Sequence, residues 1–165
     1  MHSPAVKEAA YHTYVRPKAE YAAAAWDPHT KKNIDSIEMI QRTSARWVLG
    51  KLGRHYRTDS VTAMLDTLGW RSLQQRRADS RLCMLYKIQN ELVHISNPSL
   101  RLVSGISQSV NPHKLIELRK YNADQFNSFY PRTVHQWNNL SPDVALAPSL
   151  NTFKHRVSQV HHRAK

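Results

Sequence analysis

The sequence predicts a mainly α-helical protein, about six helices in a single domain, with an irregular stretch or a small strand pair near residues 100–121. Three observations carry that expectation. Apolar residues recur at three- and four-residue spacing through long windows. Only four glycines occur in 165 residues, which disfavours sandwiches and glycine-cradled phosphate loops. Proline, serine and glycine stand where the periodic runs begin and end. With 41% hydrophobic and 22% charged residues, the composition is that of a chain able to bury a core.

Pro4 followed by Ala5-Val6-Lys7-Glu8-Ala9-Ala10 opens a helix with proline in its first turn, expected to run to about Arg16. Pro17 then forces a kink or a restart, because it lacks an N–H and crowds the preceding turn. Ala22 to Ala25 favour helix up to Trp26, and Asp27-Pro28-His29 ends it. From Lys31 to about Leu52 an apolar stripe runs through Ile34, Ile37, Ile40 or Gln41, Ala45, Val48 and Leu52. Glu38, Arg42 and Arg46 stack four apart on another side, and Gly50 and Gly53 supply the stop.

Thr58-Asp59-Ser60 caps a short helix from Val61 to Leu68 that closes on Gly69. Ser72 caps the next, Leu73 to about Val93. It is apolar on two sides, with Ala78, Leu82, Leu85, Tyr86 and Val93 on one and Leu73, Met84, Ile88 and Leu92 on the other. Such a helix packs between neighbours, so this one is expected to be the central element.

From Ile95 to Tyr121 the periodicity dissolves into the turn signals Asn97-Pro98, Ser104-Gly105 and Asn111-Pro112, with Leu115 to Arg119 as a candidate strand. Helical spacing returns from Phe129 to Leu140, closed by Ser141-Pro142-Asp143. Pro148-Ser149-Leu150 opens a last helix carrying Phe153, Val157 and Val160. The expected organisation is a helical region over 1–94, a connector and only hinge candidate over 95–121, and a helical segment over 122–165.

Charge is the compositional outlier. Twenty-four Lys and Arg against 12 Asp and Glu give +12, and the sequence pI is near 10.1. That balance points to a polyanionic partner, most often nucleic acid. Between Met39 and Thr58 lie Arg42, Arg46, Lys51, Arg54 and Arg57 with no acid; a second group holds Arg71, Arg76, Arg77, Arg81 and Lys87. Arg42 and Arg46 share a helix face, as do Arg77 and Arg81, so either row suits a phosphate backbone. Pairing with acids of neighbouring helices is an equally good reading of the arginines. Trp47, Tyr56 and Trp70 suit stacking on bases, although core filling is the stronger expectation for the tryptophans.

Catalytic constellations are not found. The acids are scattered, with no cluster for paired Mg²⁺ ions, and neither Gly-x-Ser-x-Gly nor His-Glu-x-x-His occurs. Cys83, the single cysteine, sits in the apolar run Leu82-Cys83-Met84-Leu85 and reads as a buried small hydrophobe. His155 with His161-His162 is the densest histidine group; without cysteine or acidic co-ligands it reads as a basic tail rather than a metal site. No metal or cofactor is expected. No apolar run has the length of a membrane span, and the first residues lack a signal-peptide core, so an intracellular protein, nuclear or cytoplasmic, is expected.

Tyr14-Val15-Arg16-Pro17-Lys18-Ala19-Glu20-Tyr21-Ala22 followed by Trp26-Asp27-Pro28 resembles a signature of jockey-like reverse transcriptases from non-LTR (LINE-type) retrotransposons. Further matches follow in that family's order: Ile37 to Arg42, Ala45-Arg46-Trp47-Val48, Ser60 to Leu65 with Leu68-Gly69-Trp70, and Leu73 to Arg77 with Tyr86-Lys87-Ile88. The tail adds Phe129-Tyr130-Pro131-Arg132-Thr133, Trp137-Asn138-Asn139-Leu140, Ala147 to Leu150 and Phe153-Lys154. The likeness spans roughly Ala5 to Val157. Ala19 stands where the family usually has leucine, and 95–121 matches poorly.

The family's palm motif, Tyr/Phe-Ala-Asp-Asp, has no counterpart here, nor does an endonuclease domain. The resemblance therefore implies the carboxy-terminal, thumb and post-thumb end of such a polymerase, beginning at an internal or fortuitous Met1. It implies no catalysis by this chain alone, a missing upstream palm and fingers as partner, and an inherited grip on template–primer or element RNA. The contact residues expected for RNA or an RNA/DNA hybrid are Arg42, Arg46, Arg54, Arg57, Arg76, Arg77 and Arg81. A structural remnant, or a protein-interaction module using apolar helix faces, is the alternative.

Overall fold

Pro17 shapes the first helix. It offers no N–H to the carbonyl four residues back, and its ring crowds that carbonyl. In the computed structural model, which describes residues 3–51, 60–95, 114–115 and 123–163, the chain widens there instead of breaking. Helix α1 (Pro4–Ala10) passes into a π-helical turn over Tyr11–Val15, and α2 (Arg16–Glu20) resumes with Pro17 in its first turn. The Arg16 N–H reaches the Tyr11 carbonyl, five residues back, so the expected kink is a bulge of one extra residue. Ser3 starts α1, its hydroxyl accepting from the Val6 N–H at 3.4 Å.

The helix expected over Ala22 to Ala25 does not form. Ala22 lies at φ +51°, in the left-handed region, which ends α-helical hydrogen bonding, and 21–25 are turns. Helix α3 (Lys31–Val48) buries Glu38, Gln41, Ala45 and Val48 along one face. It stops short of Leu52 because Gly50 turns left-handed at φ +70°. Gly53, Thr58 and Asp59 lie outside the described residues. Helix α4 (Val61–Leu68) has the expected bounds: the Ser60 hydroxyl accepts from the Ala63 N–H at 3.3 Å, and Gly69 closes it at φ +65°. Helix α5 (Leu73–Gln89) begins on Ser72, whose hydroxyl accepts from the Gln75 N–H at 3.2 Å. It ends before Val93, where Glu91 adopts φ +56°.

The later helices are α6 (Ala123–Phe126), α7 (Phe129–Asn138), α8 (Pro142–Ala145) and α9 (Leu150–Arg163). The Ser141-Pro142-Asp143 stop is itself the start of α8, with proline in its first turn. The fold is mainly helical, and no sheet occurs among the described residues. Residues 116–119 of the candidate strand, and most of the expected 95–121 connector, lie outside them.

The chain packs as two compact units, and the division falls inside α5, at Arg77–Ala78. The first unit holds Met1–Ala23 and Asp27–Arg77. Its core gathers Tyr11, Ala45, Val48, Met64 and Trp70, with Val15, Trp47 and Leu65 against them. The second holds Ala24–Trp26 and Ala78–Lys165. Its core includes Leu82, Leu85 and Tyr86 of α5, Trp137 of α7, and Phe153 and Val157 of α9. The Phe153 ring stacks 4.5 Å from Tyr86 and 5.6 Å from Trp137. Asn138 anchors Leu115 by both backbone groups: its Oδ1 accepts from the Leu115 N–H and its Nδ2 donates to the Leu115 carbonyl, each at 2.9 Å. Val160, expected on the packed face of α9, is instead exposed.

Two mirror-image substitutions test the left-handed positions. A Cβ on Gly69 meets nothing within 4 Å, so Gly69→Ala carries only backbone strain and should destabilise by about 1 kcal/mol. Ala22→Gly relieves the same strain and should stabilise by about 0.5 kcal/mol after the larger unfolded-state entropy is subtracted. Urea midpoints of the two variants, compared with the parent, check both signs.

Candidate functional site

In the first unit, α2, the segment after it and the start of α5 are joined through arginine. Arg77 is 1% exposed. Its Nε donates to Asp27 Oδ1 at 2.8 Å and its Nη1 to the Ala19 carbonyl at 2.5 Å. Burial pushes the guanidinium pKa below its ordinary range, and the nearby Glu20 carboxylate opposes the shift. One residue earlier, Arg76 forks onto Glu20, its Nε bonding Oε1 and its Nη2 reaching Oε2 at 3.2 Å. Arg16 Nε lies 3.8 Å from the same carboxylate. Bidentate guanidinium–carboxylate geometry of this kind is stronger and more directional than a lysine contact.

Glu38 also turns inward. It is buried, and its Oε1 accepts from the Gln74 N–H at 2.8 Å, capping the first turn of α5 from α3. Burial raises its carboxyl pKa, while the Gln74 N–H and the charge of Arg42 hold it down. Glu38 therefore does not stand in an exposed row with Arg42 and Arg46.

The seven arginines expected at a phosphate backbone separate into four groups. Arg77 and Arg81 are buried, at 1% and 2% exposure, and do not present themselves to a ligand at the surface. This corrects the expectation for that row: α5 turns it inward. Arg81 Nη2 donates to Gln136 Oε1 at 2.9 Å, and burial, helped by the charge of Arg132, brings its pKa down to about 10. Arg76 is half-buried on Glu20. Arg42 is half-buried with Nη2 3.5 Å from Asp35 Oδ1. Arg46 is half-buried too, its Nε shielded and without a hydrogen-bond partner among the described residues. Arg54 and Arg57, like Tyr56, lie outside the described residues.

Trp70 and Trp137 fill cores, and Trp47 packs against one, with Lys7 Nζ 5.7 Å from its ring centroid; Trp26 is exposed. Cys83 is half-buried against the second core, and burial pushes its thiol pKa up to about 11. No group of three or more His, Cys, Asp or Glu placed to hold a metal ion occurs among the described residues. Nor is any described helix long and apolar enough to cross a membrane.

A cleft of about 180 Å³ opens in the first unit where the π-helical turn meets the loop between α4 and α5. The extra residue of that turn places Tyr11 and His12 in its lining. Tyr11 stacks on Trp70 at 4.1 Å, and Trp70 Nε1 donates to Glu8 Oε1 at 2.9 Å, an oxygen also 3.5 Å from His12 Nε2. Across the cleft Gln41 Nε2 donates to the Arg71 carbonyl at 2.9 Å. Three shielded polar atoms of the lining lack a hydrogen-bond partner among the described residues: Tyr11 Oη, His12 Nδ1 and Gln41 Oε1. Burial, then the charge of Glu20, raises the Tyr11 pKa to about 12, so its hydroxyl keeps its proton.

The sequence patterns passed over these residues. Two signals were present: Gln41, a polar residue in the apolar register of α3, and Tyr11, placed just where a proline six residues later disturbs the helix.

No family model, curated protein or solved structure matches this chain.

Two outcomes follow from the buried groups. Arg77→Met takes the guanidinium away from the largely covered Asp27 carboxylate and should destabilise by about 3–5 kcal/mol, whereas Arg77→Met with Asp27→Leu should recover a large part of that loss. A double-mutant cycle in guanidinium chloride measures it. The raised pKa leaves Cys83 with about 100-fold less thiolate at pH 8 than an ordinary thiol. Iodoacetamide should therefore label it slowly in the folded chain and at the ordinary rate in urea, as mass spectrometry would record.

Proposed function

We propose that this chain is a non-catalytic nucleic-acid-binding segment. It would correspond to the carboxy-terminal, thumb and post-thumb end of a jockey-like non-LTR retrotransposon reverse transcriptase. Its ligand would be RNA or an RNA/DNA hybrid, gripped by electrostatic positioning with little base readout. The motif order described above supports the family, and the charge supports the ligand.

One observation carries the ligand assignment: three acids of the first unit are drawn inward while three of its lysines are exposed. Glu38 is buried, and Asp27 and Glu20 are largely covered, held against Arg77 and Arg76. Lys18, Lys31 and Lys32 are exposed. The first unit thus takes these three carboxylates largely out of its surface, on a chain of net charge +12. Lysines and arginines that neutralise phosphates release counterions, which gives affinity without sequence preference. In this reading Arg42 and Arg46, on one flank of α3, are the described arginines that contact phosphate, with Arg54 and Arg57 assigned from sequence alone. Arg77 and Arg81 hold the fold.

A second reading has its own support. Val6, Tyr14 and Tyr21 of the first helical stretch are 54%, 70% and 74% exposed, an apolar surface that suits docking on a protein such as an upstream polymerase domain. The two readings are compatible in one polypeptide.

Filter binding of a single-stranded RNA at increasing salt tests the ligand. The logarithm of the binding constant should fall linearly with the logarithm of salt concentration. Arg42→Glu with Arg46→Glu should reduce that slope by about 0.7 for each phosphate no longer neutralised, while Lys154→Glu on α9 should leave it near the parent value. Binding that does not change with salt would refute the proposal.

A further inference from the structure

Helix α3 has a second long face, opposite the buried Gln41, Ala45 and Val48. Lys32, Ser36, Met39, Ile40 and Thr43 recur along it at helical spacing, and all five are exposed. Met39 and Ile40, at 54% and 43% exposure, set two large apolar side chains at its centre. The small residues beside them make few polar demands. Ser36 Oγ donates to the Lys32 carbonyl and Ser44 Oγ to the Ile40 carbonyl, each at 2.9 Å. Another helix can approach closely there. One edge of the face is charged: a regular helix advances about 100° per residue, so Asp35, Arg42 and Arg46 share a strip about 40° wide. The Asp35 side chain is 47% exposed, and its one ion pair among the described residues is with Arg42, at 3.5 Å. Arg46 faces no acid among the described residues. The strip therefore holds a cation in want of a carboxylate and a carboxylate with room for a second cation.

We infer that α3 pairs with α3 of a second copy of this chain, antiparallel, about a two-fold axis between Met39 and Ile40. That register sets Met39 against Ile40 and Ser36 against Thr43, reciprocally, as a two-fold contact requires. It also brings the charged strips of the two copies to the same side. Asp35 of each copy then lies level with the midpoint between Arg42 and Arg46 of the other. A parallel pair would instead leave Asp35 beside Asn33 and Ile37, with no cation, so the charges select the antiparallel one. Two things oppose it: the net charge of +12 on each copy, and Lys32 coming level with Trp47, beside Lys7. One helix from each copy is also a small interface, so the dimer is weak, with a Kd of about 10–100 μM. The pairing does not depend on the nucleic-acid reading. It uses Arg42 and Arg46 for a different contact and is tested with no nucleic acid present.

Sedimentation velocity of the full chain from about 5 to 500 μM tests it, in about 0.15 M salt to limit long-range repulsion between copies. The parent should pass reversibly from monomer to dimer over that range. Met39→Gln with Ile40→Gln changes only exposed positions and should weaken the dimer at least about tenfold, with circular dichroism unchanged. Asp35→Arg should weaken it as much, and so should Arg42→Glu with Arg46→Glu, because each sets like charges together across the axis. Mixed in equal amounts, these two charge variants should form a heterodimer within about threefold of the parent affinity, since opposite charges then meet on both sides of the axis.

A parent that stays monomeric at about 500 μM would overturn the inference. So would a dimer indifferent to either set of changes, which would place the contact on another surface. Charge variants that weaken the dimer singly but fail to associate when mixed would overturn the antiparallel register.

Discussion

A guanidinium with almost no access to water organises the first unit. Arg77 cannot shed its charge at any ordinary pH, so every segment around it must supply an acceptor. Asp27 supplies a carboxylate from an irregular stretch, and Ala19 a backbone carbonyl from near the end of α2. The end of α2 and the turn after it are thereby tied to the start of α5 by charge-assisted bonds rather than by apolar contact. Arg76 on Glu20 and Glu38 on Gln74 repeat the device within one turn of that helix. Removing any one partner leaves a charge or a donor stranded in a poorly hydrated place, so the group is sensitive to single changes.

Much of the helical architecture was legible in the sequence. The stretch Val61–Leu68 could be bounded at both ends because Ser60 and Gly69 act locally, through one hydroxyl and one left-handed backbone position. The start of α5 was legible for the same reason, in the Ser72 hydroxyl, whereas that of α3 was legible in its apolar stripe, with no hydroxyl cap at Thr30. The misplaced ends share a cause: the helix expected over Ala22 to Ala25, and the overlong ends of α3 and α5, meet left-handed residues at Ala22, Gly50 and Glu91. Only the glycine advertises that conformation by its residue type. Alanine and glutamate are good helix formers, and nothing in their own chemistry shows that tertiary contacts will turn them.

The candidate site was less legible. A row of arginines four residues apart looks the same in sequence whether it faces phosphate or a buried carboxylate. The partners decide, and Asp27 is 50 residues from Arg77 while Gln136 is 55 from Arg81. The cleft is built in the same long-range way, from the first helical stretch, the middle of α3 and the loop before α5. Its one local signature is Gln41, whose place in an apolar register is at odds with its polarity.

The widened turn at Tyr11–Val15 also sets how tolerant this region is to change in length. Each residue of a regular helix advances about 100°, so one extra residue rotates everything on its amino-terminal side by that amount relative to α2. The side chains of α1 are thus indexed by a count, and Glu8 meets Trp70 only because of it. Point substitutions on α1 leave that count untouched. Loss of a single codon between Tyr11 and Val15, with the widened turn kept, would move Lys7 into the place of Glu8 and set a donor against the Trp70 indole N–H, while still leaving a sequence that reads as a good helix.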